Sequence, residues 1–137
     1  MASGIYERFK ANLMNKLVDL GTGGDAIRVA LMDNVHTFVA TENTWSQVSA
    51  DEIAGTGYTA NGELLGSQTV TQAASAKFDG ADTVWSTSTF SAYFAVLYDD
   101  TLVGDDLICT FDFGGVQTVT AGTFTIQWNA SGIITMA

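Results

Sequence analysis

Alternating apolar and polar positions dominate the second half of the chain. From Phe90 to Tyr98 every even-numbered position is apolar, and from Leu107 to Phe113 every odd-numbered position is apolar. A period of two residues places these side chains on one face of a β-strand. Because the opposite face of 90–98 is also largely apolar, the pattern predicts a central strand that is covered on both sides.

Pairs of small or turn-forming residues separate the later strand-like runs. Asp79-Gly80, Gly114-Gly115 and Ala121-Gly122 are the clearest of these pairs. Glycine adopts left-handed backbone conformations readily, so each pair predicts a turn. A hairpin between 116–120 and 123–128 follows, and a last strand is predicted over 133–136.

The first twenty residues show helical periodicity instead. Apolar residues recur at every fourth position, which predicts an amphipathic helix over 3–20, and the glycines that follow end it. The stripe serves either to pack the helix on its own sheet or to contact a neighbouring subunit. Its members are Ile5, Phe9, Leu13 and Leu17.

These elements predict one mainly β domain over 1–137. We expect a β-sandwich or a barrel-like antiparallel sheet with the amphipathic α-helix at its N-terminus. The helix, 3–20, is followed by a buried strand over 26–32, a loop-rich insertion over 33–62 and a strand-rich core over 63–136. Trp45 lies within the insertion, on a segment that could form a short helix.

Charge narrows the range of partners. The 137 residues include 15 acidic and 5 basic side chains, for a net charge of -10. No cluster of Lys and Arg could displace the counterions of a nucleic acid, and an acidic surface is repelled by anionic lipids. We therefore expect neither a nucleic-acid partner nor a membrane partner.

Candidate catalytic and metal-binding groups are sparse. His36 and Cys109 are the single His and Cys of the chain, so a zinc site and a catalytic triad both lack partners. The glycines of 55–62 lack the Lys-Ser/Thr ending of a phosphate loop. We expect no enzyme activity, no cofactor and no metal site, although the four Asp residues within 99–106 leave a bound cation as an open alternative.

Short scaffold motifs are spread over most of the length. They are strand, turn and helix residues rather than a chemical signature. They comprise Lys16–Leu20, Ile27–Leu31, Gly55–Tyr58 with Gly62 and Leu65, Phe78-Asp79, Val84-Trp85, Ala92–Tyr98, Leu107-Ile108, Phe111–Gly114, Gly122–Trp128 and Gly132-Ile133.

With these motifs the chain resembles a family of small virion structural proteins of tailed bacteriophages. The resemblance implies a capsid decoration, or cement, protein that is made in the host bacterial cytoplasm and found in the virion. It implies binding to the major capsid protein at capsomer junctions on the outer shell, and a homo-oligomer, with a trimer favoured. Candidate subunit or capsid contacts are Ile5, Phe9, Leu13, Leu17 and Trp45.

Two other functions remain open at this point. A phage tail tube or head–tail connector component would need a long hairpin or loop for contacts between rings, and 33–62 is the candidate segment. A carbohydrate-binding or receptor-binding β-sandwich would need exposed aromatic rings, and the three Trp and four Tyr residues could supply them. Acidic charge suits both an outer capsid surface and the lumen of a tail tube.

Overall fold

The computed structural model describes residues 3–136. In this range the chain forms eight β-strands, one α-helix and two single-turn 3-10 helices. In chain order the elements are β1 (Gly4–Ile5), α1 (Glu7–Met14), β2 (Ile27–Met32), the 3-10 turns Trp45–Gln47 and Ser49–Asp51, β3 (Glu63–Leu64), β4 (Thr69–Thr71), β5 (Ala76–Asp79), β6 (Thr83–Asp99), β7 (Asp106–Ile126) and β8 (Ile134–Met136).

A long antiparallel hairpin, β6–β7, forms the centre of the larger sheet. This sheet has five strands in the order β1-β7-β6-β2-β3, and the smaller sheet has three in the order β4-β5-β8. The second half of β6 pairs with β2 on one side and β7 on the other, so it is central, as its two apolar faces predict. The mainly β prediction is confirmed. The described residues form no closed barrel, and the two antiparallel sheets are consistent with a sandwich-like arrangement.

Two of the predicted turns are bulges within one continuous strand. Gly114-Gly115 and Ala121-Gly122 both lie inside β7, so the predicted hairpin between 116–120 and 123–128 is wrong. The pairing register between β6 and β7 shifts at both places. Gly114 and Ala121 adopt positive φ angles of 78° and 46°, which is typical of a bulge that adds residues to one strand without reversing it.

The part of the larger sheet formed by β2, the second half of β6 and the start of β7 is buried on both faces. On one face, residues such as Val29, Leu31 and Leu97 pack with Phe9 of α1 and Phe78 of β5. The opposite face is covered mainly by the segment 33–53. Its core consists of Tyr6, Ala30, Met32, Trp45, Val48, Phe94, Val96, Tyr98 and Leu107.

The helix is shorter than predicted. It spans Glu7–Met14 rather than 3–20, because Gly4–Ile5 pairs with Thr110 and Cys109 as strand β1. After Met14 the chain turns out of the helix at Lys16, whose φ is 62°. An apolar repeat of four residues does not distinguish one long helix from a helix flanked by a strand and a turn.

Candidate functional site

An open apolar groove separates α1 and its following loop from the three-stranded sheet. The cavity has a volume of about 770 Å³. Its walls are predominantly apolar, and it opens to solvent along its length. The lining residues are Phe9, Leu13, Lys16, Leu17, Val18, Asp19, Leu20, Gly21, Asp25, Val70, Ala76, Lys77, Phe78, Ile134 and Met136.

A Schellman motif shapes the helical wall of the groove. The N–H of Leu17 donates to the carbonyl of Asn12 over 2.9 Å, and the N–H of Lys16 donates to the carbonyl of Leu13 over 3.2 Å. Lys16 occupies the left-handed position that usually holds glycine. The turn ends the helix, and Leu17, which follows it, remains 55% exposed at the groove.

The three-stranded sheet forms the other wall. β5 lies in the middle and pairs with β4 and β8, so side chains from all three strands reach the same groove. Val70 of β4 and Met136 of β8 are exposed, whereas Phe78 of β5 is buried. Exposed and buried apolar side chains therefore form one continuous surface.

Charges of both signs surround this apolar surface. Lys77 lies 3.9 Å from Asp79 and donates a hydrogen bond to the carbonyl of Ala130. Asp25 and Asp19 on the opposite side accept hydrogen bonds from backbone N–H groups. These groups are held by local structure, so the groove is suited to burying an apolar segment rather than to acid–base chemistry.

The acidic loop next to the groove contains a buried carboxyl group. Asp99 ends β6, is fully buried, and accepts a hydrogen bond from the N–H of Thr101 over 3.0 Å. Burial, together with the neighbouring Asp25 carboxyl, raises the pKa of Asp99 to about 7. Between residues 3 and 136, no group of three or more His, Cys, Asp or Glu side chains is placed to hold a metal ion.

The helical contact residues predicted from the sequence fall into two groups. Phe9, Leu13 and Leu17 come together along the groove. Ile5 lies apart from them on β1, half-buried beside β7. Trp45 is only 6% exposed, so it is a core residue and offers little surface to a partner.

The sheet wall was missed from the sequence. Val70, Ile134 and Met136 lie on strands that are far apart in the chain, and each strand is only three residues long. A last strand over 133–136 is predicted from the sequence, but the pattern does not show which strands pair with it. Only the pairing of both strands with β5 brings these residues together.

The other reactive side chains have structural roles. His36 is buried with its ring against Phe94, and burial lowers its pKa. Burial also raises the pKa of the Cys109 thiol, so the nucleophilic thiolate is disfavoured. Tyr58 donates a 2.6 Å hydrogen bond to Glu52 and accepts one from the N–H of Leu31, which fixes the loop 55–62 to the sheet.

Comparisons with models of known protein families, with curated proteins and with solved structures returned no match. The α-helix within the described range is too short to cross a lipid bilayer.

Proposed function

We propose that this protein is a non-enzymatic virion structural protein of a tailed bacteriophage and that it acts as a capsid decoration protein. The open apolar groove is the observation on which this proposal rests. Large exposed apolar surfaces on a soluble domain are typical of protein-binding sites. The groove takes an apolar segment of the major capsid protein, and the acidic remainder of the surface faces solvent.

The position of the groove explains how binding would stabilise a shell. Leu17 and Leu13 lie on one wall, and Val70 and Met136 lie on the other. A segment seated between them buries apolar area on both sides, at about 25 cal/mol for each Å² removed from water. A protein that binds the mature lattice but not the disrupted lattice shifts the equilibrium toward the mature one by mass action.

The sandwich-like arrangement of two antiparallel sheets fits this role because a packed core between sheets makes a rigid scaffold. The core between the sheets includes Phe78, Trp85 and Leu97, which are all buried. Rigid elements hold a binding surface in place at little entropic cost on association. We place the protein on the outer face of the capsid, at capsomer junctions, in keeping with its net charge of -10.

A tail tube or head–tail connector component is the second candidate, and one observation favours it. Strands β6 and β7, with 17 and 21 residues, form the long hairpin that ring-to-ring contacts require. The segment 33–62, which the sequence suggested for this role, instead packs on the sheet through Trp45 and Val48. A sugar-binding module has less support, because Trp45 and Trp85 are buried.

Binding to capsids tests the proposal directly. Undecorated, expanded capsids of the parent phage are mixed with the purified protein, and bound protein is measured by sedimentation. Wild-type protein binds with a fixed stoichiometry. Leu17→Glu places a charge in the groove and weakens binding about tenfold or more, since burying an unpaired carboxylate is costly.

Met14→Glu is the matched control. Met14 is the last residue of α1, three positions before Leu17, is 89% exposed and does not line the groove, so its variant binds like wild type. Equal binding by Leu17→Glu and wild type would exclude the groove as the contact. Failure of wild-type protein to bind, together with its assembly into rings or tubes, would favour the tail component instead.

A further inference from the structure

The outer edge of β7 has no strand beside it along much of the long hairpin. From Gln117 to Ile126, β7 pairs with β6 on one side only. Strand β1 pairs with β7 only at Thr110 and Cys109. Within residues 3–136, no other strand and no other backbone segment hydrogen-bonds to 117–126 from the open side. Unpaired N–H and C=O groups along such an edge are a template for another strand.

This edge lacks the charged residues that usually protect edge strands. The sequence after Asp112 contains no charged residue up to Met136, and the whole chain contains no proline. Lysine, proline and inward-pointing charges normally prevent one sheet edge from pairing with another. The pairing register with β6 shifts between Val119 and Gly122 and again between Gly122 and Phe124, which leaves Gln117–Val119 and Phe124–Ile126 as the regularly paired stretches.

A shallow depression runs beside the open edge. It has a volume of about 420 Å³ and is lined only by uncharged residues of β7 and the residue that follows it. Phe124 and Ile126 are half-buried on one side of the strand, and Thr123 and Thr125 are exposed on the other. A second strand laid along this edge would complete the burial of Phe124 and Ile126.

The charge distribution favours a second copy of this chain as the strand that pairs with the open edge of β7. We infer that a second copy of this chain pairs its own β7 with this edge, antiparallel across a two-fold axis. Two molecules of net charge -10 repel one another over most of their surfaces, whereas the edge of β7 brings no carboxylates together. Self-pairing also places Thr residues near Thr residues and apolar residues near apolar residues, and such cross-strand pairs are favourable.

The proposed β7–β7 interface is separate from the apolar groove, and it is inferred from different residues. The depression beside β7 shares no lining residue with the groove. Pairing across a two-fold axis produces a dimer, in contrast to the trimer that the sequence resemblance implies. Capsid binding and self-association are therefore measured in separate assays, and the failure of one leaves the other intact.

Charge-swapped variants of the full chain test the inference. The double variants T123K/T125K and T123E/T125E each place like charges opposite one another in the pair and become monomeric, with the dimer weakened about tenfold or more. Mixing the two variants restores a heterodimer, because opposite charges then face each other. Sedimentation velocity over a range of concentrations measures the masses.

Ser86→Glu is the matched control, since Ser86 is exposed on β6, one strand away from the edge. It dimerises like wild type. Hydrogen exchange provides a second readout: amide protection within 117–126 rises with protein concentration while protection of β2 stays constant. Wild-type protein that stays monomeric, forms a trimer, or associates equally well in both charged variants would overturn the two-fold pairing.

Discussion

The indole ring of Trp45 lies flat against the phenol ring of Tyr98, with ring centroids 4.6 Å apart and ring planes 11° apart. Both side chains also bond to Asn61, Tyr98 through its hydroxyl to the backbone carbonyl at 2.6 Å and Trp45 through Nε1 to the side-chain oxygen at 3.3 Å. The stack therefore joins three parts of the chain: the segment over 33–53, the loop 55–62 and the central strand β6.

Removing the indole should loosen this junction. We expect Trp45→Ala to lower the free energy of unfolding by about 3–5 kcal/mol, because the side chain is buried and its loss leaves a cavity. Trp45→Phe keeps an aromatic ring on Tyr98 and should cost less. Urea unfolding followed by circular dichroism measures both, and a loss below about 1 kcal/mol for the alanine variant would contradict a structural role.

The left-handed residue after α1 offers a stabilising change. Lys16 has a φ of 62°, a conformation that is strained for residues with a side chain. Lys16→Gly should raise the free energy of unfolding by about 0.5–1 kcal/mol, because glycine adopts this conformation without steric cost. Lys10→Gly, within the helix, is the control and should destabilise by a similar amount. Thermal unfolding of both variants gives the comparison.

Substitutions at two glycines allow the stability cost of backbone strain to be distinguished from the cost of steric crowding. Gly62 and Gly114 have positive φ angles of 85° and 78°. A Cβ at Gly62 would lie 2.3 Å from the carbonyl oxygen of Val29, whereas a Cβ at Gly114 would meet nothing within 4 Å. Gly114→Ala should therefore cost only the left-handed penalty of about 1–2 kcal/mol.

Gly62→Ala should cost clearly more than Gly114→Ala, because the backbone of β2 must also move away. Urea denaturation of the two variants under the same conditions measures this difference. Equal losses would mean that the loop 55–62 can shift away from β2 without cost.

Asp99 should make stability depend on pH. Its pKa is about 7 in the folded chain, compared with an ordinary value of 3.8, so between these values the folded state holds a proton that the unfolded state releases. The free energy of unfolding contributed by this group therefore falls as pH rises from about 4 to about 7. The sign is opposite to that of a carboxylate that is stabilised by an ion pair.

Asp99→Asn removes this dependence. Thermal unfolding between pH 5 and 8 should show a flatter profile for the variant than for wild type, with the larger gain in stability at the alkaline end. Glu63→Gln, which removes a half-exposed carboxyl on β3, is the control and should keep the wild-type slope. If the stability of wild type and of Asp99→Asn changed with pH by the same slope, Asp99 would not be the group that causes the pH dependence.

Alternation of apolar residues was sufficient to predict the central strand. In β6 both faces are apolar from Phe94 to Tyr98, and the structure places this stretch between β2 and β7. Glycine was a less reliable signal. Gly114 predicts a reversal of direction as well as it predicts a bulge, and only pairing with β6 across the whole of β7 decides between them.

The groove could be predicted only in part. Phe9, Leu13 and Leu17 were recognised as one stripe because helical spacing is local in sequence. Met136 completes the groove by pairing with Ala76, which is far away in the chain. Val70 belongs to the local hairpin of β4 and β5, where it pairs with Phe78, and the sequence pattern does not show that this hairpin faces α1. The depression beside β7 was missed for a different reason. Alternation in a sequence predicts which face of a strand is buried, but it does not show which edge of that strand lacks a partner.

The position of β6 between β2 and β7 also determines when the sheet can form. Ile27 pairs with Asp99, and Met32 pairs with Phe94, so the longer partner of β2 is synthesised more than sixty residues after it. The two-residue strand β3 is synthesised sooner and pairs only with Arg28 and Val29. At roughly 5–20 residues per second, several seconds pass on the ribosome before β2 can pair with β6. During that time its apolar side chains lack the central strand of the native sheet. Such distant pairing slows folding, and transient protection of the nascent chain by a chaperone would raise the yield of native protein.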